Sequence, residues 1–160
     1  LDKINVENIS PFISRSMEIK SEVVNKDFKE ENVRKILNFG HTIGHAVESL
    51  FLQKGNLIPH GEAVALGMIC ETLLAFLAGL IDVEHSSTII TQIQKFFPYI
   101  DISEFKNAAI IDLMFNDKKN EDGNINFSLI NGIGSCLFDQ KVNAEQIILT
   151  LDFYKNLENI

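Results

Sequence analysis

Apolar residues recur at helical spacing over most of this chain, and the spacing changes character only once. From Pro11 to Lys26, the residues Phe12, Ile13, Met17, Val23 and Val24 fall near the 3.6-residue period, with Pro11 suited to a first turn after Ser10. The charged stretch Asp27 to Val33 predicts a loop in which Asn32 takes the left-handed conformation. A second helix is predicted from Val33 to Leu52, its apolar side built by Ile36, Leu37, Ile43, Val47, Leu50 and Phe51, and Lys54-Gly55-Asn56 ends it. A third, Glu62 to Leu80, is apolar on nearly all sides and is expected to be the central buried helix.

After a break at Asp82 to Ser87, helices are predicted at Ser87 to Phe97 and Ser103 to Phe115, each opened by a serine able to cap its first turn. The period then drops to two. Ile125, Phe127 and Leu129, then Ile133 and Leu137, flank Asn131-Gly132-Ile133-Gly134, which predicts a β-hairpin over Asn124 to Phe138. A last helix, Ala144 to Leu157, closes the chain. The expected fold is mainly α, a single helical domain over residues 1–160 with one small β-hairpin.

Composition narrows the function classes. With 160 residues and 46% of them apolar, the chain has enough material for a real core and is not disordered. A net charge of −8 argues against a nucleic-acid surface, which needs clustered Lys and Arg. The longest apolar run, Ala63 to Leu80, is interrupted by Glu71, so no membrane span is expected. Leu1-Asp2-Lys3 lacks the features of a secretion signal and reads as a cut end. Cys70 and Cys136 have no partner pattern and read as buried thiols in a reducing cytoplasm. Gly132 and Gly134 lack the third glycine and following helix of a dinucleotide loop, so a nucleotide-binding half is missing.

The candidate chemistry is concentrated. Three of the four histidines lie in Asn38-Phe39-Gly40-His41-Thr42-Ile43-Gly44-His45-Ala46-Val47-Glu48 and Pro59-His60-Gly61-Glu62. Imidazoles four residues apart share one helix face and can meet one ion, and neutral imidazole binds zinc at about 2.0–2.1 Å. Two of the three could be ligands while the third acts as acid or base near neutral pH; spacing alone does not separate these assignments. Gly40 and Gly44 are costly inside a helix, which points to close approach by a ligand or another backbone. A continuous helix from Arg34 would put Arg34, Asn38, His41 and His45 on one stripe, with Arg34 a natural fork for carboxylate or phosphate. Lys20 and the Lys118-Lys119 pair are further anion candidates, and Glu48 or Glu62 would serve to orient an imidazole.

The run Arg34 to Glu48, followed by His60-Gly61-Glu62-Ala63-Val64-Ala65-Leu66-Gly67-Met68 and by Asp117-Lys118-Lys119 before the hairpin, resembles the signature of 3-dehydroquinate synthases. The resemblance covers nearly the whole chain as that family's mostly helical C-terminal domain. It implies conversion of 3-deoxy-arabino-heptulosonate 7-phosphate to 3-dehydroquinate and phosphate, with NAD and a divalent metal, usually zinc. By motif, His41 and His60 resemble the two histidine ligands, and His45 the active-site histidine near the phosphate. Lys20, Arg34 and Asn38 match substrate-contacting positions, the two cations suited to its carboxylate, and Lys118 or Lys119 matches a phosphate-contacting lysine. The family's third ligand, a glutamate, and its NAD domain lie upstream of this chain, which is therefore expected to be inactive alone. Asn32 stands where the family usually has Gly. The resemblance further implies a homodimer with a sugar-acid phosphate substrate. Sibling sugar-phosphate cyclases, or a stand-alone helical metal-binding domain, are the alternatives.

Overall fold

A computed structural model describes residues 6–116 and 125–157. Its helices are α1 (Val6–Lys26), α2 (His41–Gln53), α3 (His60–Leu77), α4 (Val83–Gln94), α5 (Asn107–Asn116) and α6 (Ala144–Asn156). Strands β1 (Ile125–Gly132) and β2 (Ser135–Val142) form one antiparallel hairpin. The mainly helical architecture with a small hairpin is the one expected. As expected too, α3 is the core helix: it packs against α2, α4, β1 and α6, and Leu66, Cys70, Leu74 and Ala75 on it are buried. By length and composition α3 alone, among the described residues, could cross a membrane, and here it is enclosed by the other elements. The hydrophobic effect holds this layer together, at roughly 25 cal/mol per Å² of apolar surface removed from water.

The second helix differs from its expected form. Val33 to Asn38 is a 3-10 helix, Phe39 turns away from helical geometry, and Gly40 adopts φ +83 before α2 begins at His41. Arg34, Asn38, His41 and His45 therefore do not share one stripe. The break is imposed from α3, because the Glu71 carboxyl group reaches into the start of α2 and its oxygens accept the N–H groups of Gly40 (2.6 Å), Thr42 (3.1 Å) and Ile43 (3.3 Å). A helix start needs partners for its first N–H groups, and Glu71 supplies a buried one. The crossing is tight as well: a Cβ on Gly44 would lie 2.8 Å from the Ala63 carbonyl, and one on Gly67 would run into the Gly40 carbonyl. The backbone approach foreseen at Gly44 is thus made by α3, and Gly40 is a helix-start residue rather than an interior one.

Other boundaries moved for local reasons. Helix α1 starts before Pro11, which lies inside it, and no longer needs Ser10 as its cap. The left-handed residue of the 27–33 loop is Glu30 (φ +57), while Asn32 takes φ −138. Asp82, not Ser87, opens α4, accepting the His85 N–H at 2.8 Å. Helix α5 begins at Asn107, past Ser103, whose N–H is held by Asp101. Strand β2 extends to Val142, and α6 opens with a capping box between Asn143 and Gln146. Cys70 is buried as expected, but Cys136 is only half-buried. Lys118 and Lys119 lie outside the described residues.

The hairpin anchors the 3-10 segment. Ser128 Oγ donates to the Lys35 carbonyl at 2.7 Å, and Lys35 Nζ pairs with Asp139 at 2.6 Å while lying over the Phe138 ring. Helix α1 is the least covered element, with Phe12 63% and Met17 68% exposed.

Two outcomes follow from the α2–α3 crossing. Gly44→Ala gains helix propensity of about 1 kcal/mol yet should lose about 1–3 kcal/mol net by overpacking against Ala63, measured by urea unfolding. Burial pushes the Glu71 carboxyl up to about 8, with its three backbone donors pulling the other way. A carboxyl whose folded pKa is raised stabilises the fold fully below its unfolded value, so stability should fall as pH rises from about 4.5 to about 8. Unfolding curves of Glu71→Gln should lack that slope.

Candidate metal and substrate site

His41, the first residue of α2, His45 one turn later, and His60, the first residue of α3, converge where the two helix starts meet. Their ring centroids are 5.1 Å (His41–His45), 5.6 Å (His41–His60) and 5.5 Å (His45–His60) apart. Ligand nitrogens from all three lie within 4.8 Å of one another. Tetrahedral zinc needs nitrogens about 3.3 Å apart, given bonds of about 2.0–2.1 Å, so small ring rotations close the gap.

The rings differ in what holds them. His41 Nδ1 lies 3.2 Å from the Phe39 carbonyl and His60 Nδ1 lies 3.1 Å from Glu48 Oε2. Both partners are acceptors, so each imidazole carries its proton on Nδ1 and offers the Nε2 lone pair. Among the described residues no group hydrogen-bonds the His45 ring, which leaves both its nitrogens available. Burial, together with the neighbouring imidazoles and Lys20, lowers the His41 pKa, although its bond to Phe39 raises it. His41 is thereby kept neutral, the form that ligates metal. The donor set fits a divalent ion of zinc type.

The anion-binding candidates come from the preceding segment. Arg34 Nη1 donates to the Phe28 carbonyl at 2.9 Å and its Nε lies 3.4 Å from Glu30; Asn38 Nδ2 donates to the other oxygen of Glu30 at 2.9 Å. Glu30 therefore ties together Arg34, one of the two cations that the resemblance suits to a substrate carboxylate, and Asn38, a position that it matches to substrate contact. Asp27 shapes this loop by accepting the N–H groups of Glu31 (3.1 Å), Asn32 (2.7 Å) and Arg34 (3.0 Å). Burial raises its pKa, but those donors outweigh it and the carboxyl stays below its usual range. Lys20 is exposed on α1, close enough for its charge to act on His41. Glu62 sits in the first turn of α3 with no imidazole bond, so of the two proposed orienting carboxylates only Glu48 touches a ring. A cleft of about 460 Å³ opens beside His45 and Glu48, between α2, Leu57, Ile58 and α5 residues Leu113 and Met114.

Sequence reasoning missed Asp27, Glu30 and Glu71. Glu71 had a usable signal, as the one charge in the apolar run from Ala63 to Leu80, since buried carboxyl groups occur with partners. The other two are ordinary acidic residues in a charged loop until the chain is folded.

The chain is similar to complete 3-dehydroquinate synthases. It is 38% identical over 157 residues to that of Parabacteroides distasonis, covering 97% of this chain and 44% of the relative. It is 41% identical over 145 residues to that of Thermoanaerobacter pseudethanolicus, covering 91% and 40%. The chain thus spans less than half the length of the curated relatives it matches. Among solved structures, 2-deoxy-scyllo-inosose synthase complexed with carbaglucose-6-phosphate, NAD+ and Co2+ superposes with a TM-score of 0.78 at 26% identity, over 94% of this chain and 41% of that one. The 2-epi-5-epi-valiolone synthase of Streptomyces hygroscopicus, with NAD+ and Zn2+ bound, shares the fold at a TM-score of 0.72 and 22% identity, over 88% and 38%. The family profile described as 3-dehydroquinate synthase C-terminal matches residues 1–120, three quarters of the chain, and the chain belongs to that family.

Proposed function

We propose that this chain is the metal- and substrate-binding part of a 3-dehydroquinate synthase, a phosphate-eliminating lyase that converts 3-deoxy-arabino-heptulosonate 7-phosphate to 3-dehydroquinate in the shikimate pathway. The observation that carries this reading is the convergence of His41, His45 and His60 with two of the three rings tied at Nδ1. His41 and His60 would hold the divalent metal, zinc by preference, with a glutamate from the N-terminal part. When bound, the metal polarises substrate hydroxyls, and NAD, held mainly by that N-terminal part, supplies the transient oxidation and reduction.

This chain's own residues do the rest. His45, with both nitrogens available, exchanges a proton with the substrate near its phosphate. Arg34, paired with Glu30 in this structure, and Lys20 suit the substrate carboxylate, and Asn38, held by the same glutamate, adds an amide contact to the substrate. Lys118 or Lys119 would meet the phosphate. Holding a doubly anionic substrate at both ends fixes the geometry in which the reaction occurs. The apolar side of α1, exposed at Phe12, Ile13 and Met17, supports packing against the rest of a longer protein. By the same family likeness, the whole enzyme is a cytoplasmic homodimer.

The deciding experiment measures phosphate release by the full-length protein over a panel of sugar phosphates. Turnover of the heptulosonate phosphate alone supports the reading, whereas preference for a sugar phosphate without a carboxylate would favour a sibling cyclase, the class of the 26%-identical structure. In the full-length enzyme His45→Ala should lower kcat by about 10²–10⁴-fold, the usual worth of a positioned acid or base. Residues 1–160 alone should bind zinc weakly and release no phosphate. Micromolar or tighter zinc binding by that segment, lost in His41→Ala, would favour the stand-alone metal-binding domain instead, since three imidazoles already converge there.

A further inference from the structure

His60 is the most exposed of the three imidazoles, with 55% of its side chain open, and it follows the loop that joins α2 to α3. Packing therefore does not fix its ring. The one side chain that hydrogen-bonds it among the described residues is Glu48, whose Oε2 lies 3.1 Å from Nδ1. Glu48 sits on α2, three residues beyond His45, and is two-thirds covered at 34% exposure. Its carboxylate is thus carried by the same rigid helix that carries the other two imidazoles.

We propose that Glu48 is a positioning residue, which sets the tautomer and ring orientation of His60 so that Nε2 faces His41 and His45. This rests on the reading above in which His60 is a metal ligand. A carboxylate only accepts, and a neutral imidazole has one N–H and one lone pair, so a bond at Nδ1 puts the proton there and the lone pair on Nε2. A carboxylate behind a ligating imidazole also makes the ligand nitrogen a better donor to a cation. At His41 a backbone carbonyl, that of Phe39, holds Nδ1. At His60, among the described residues, no backbone carbonyl does so, and a side chain reaching across from α2 takes its place. Glu48 thereby couples the start of α3 to the face of α2, and keeps a solvent-exposed imidazole in register with two others that are half-buried.

The test uses the full-length protein containing this chain, and reads zinc affinity by competition with a chromophoric chelator and the visible spectrum of the cobalt-loaded form. Wild type, Glu48→Ala, Glu48→Gln and His60→Ala are compared, with the melting temperature of each metal-free protein. Glu48→Ala should weaken zinc binding by about 10–100-fold and alter the cobalt bands. Glu48→Gln should fall between wild type and Glu48→Ala, because its amide oxygen still accepts the Nδ1 proton but without charge. If Glu48→Ala lowers the metal-free melting temperature, the isosteric Glu48→Gln decides by its own affinity and spectrum. Glutamate variants with wild-type affinity and spectrum, alongside a His60→Ala protein that loses zinc, would overturn the role of Glu48 and leave the metal site standing. Wild-type protein that binds no zinc, or His60→Ala that binds it unchanged, would overturn the metal-site reading and this inference with it.

Discussion

The buried carboxylate of Glu71 is the contact on which the candidate site depends. It reaches from the middle of the core helix α3 to the first N–H groups of α2, bonding those of Gly40, Thr42 and Ile43. Unpaired donors at a buried helix start are costly, and so is an unpaired buried carboxyl group; each resolves the other. The pairing decides where α2 begins, and hence that His41 is its first residue. Gly44 and Gly67 allow the backbones to come close enough for the carboxylate to reach, so the crossing and the cap are one arrangement.

From that crossing the chemistry follows by short steps. Because α2 and α3 start at the same place, a histidine at the head of each, with one a turn further along α2, must converge. Polar partners then divide the three. Two are held at Nδ1, which leaves Nε2 as their free ligand atom, and among the described residues no group hydrogen-bonds the His45 ring. The segment ahead of α2 is organised separately, by Asp27 on its backbone, by Glu30 on Arg34 and Asn38, and by the hairpin through Ser128 and Lys35. The hairpin braces the segment that carries Arg34 and Asn38, which gives the sole β element of the described residues a clear job.

Much of this was legible from sequence. The periodicity placed six helices and a hairpin in the right order, and singled out α3 as the buried one, because a helix apolar on every side has nowhere else to go. The largest error lies at the one boundary where a side chain from afar supplies the partners, the start of α2. Nothing near Phe39 announces a break, since Val33 to Leu52 carries a sound helical pattern, and the tertiary bond from Glu71 overrides it. The left-handed position went to Glu30 rather than Asn32 for a similar reason, as Asp27 draws the following N–H groups towards itself.

What the sequence determined by itself is local: the helical and hairpin segments, the gathering of three histidines within twenty residues, and the chemistry that neutral imidazole, guanidinium and carboxylate groups bring. Side-chain type and short-range spacing are sufficient for those. Only the tertiary structure decided that Arg34 leaves the histidine stripe and meets Glu30, that Glu48 rather than Glu62 holds an imidazole, and that Glu71 starts the helix carrying His41 and His45. The last two are pairings of hydrogen-bonding groups between helices, set by how α2 and α3 cross, and the first follows from the break they impose at Gly40; no residue in the sequence carries that crossing alone.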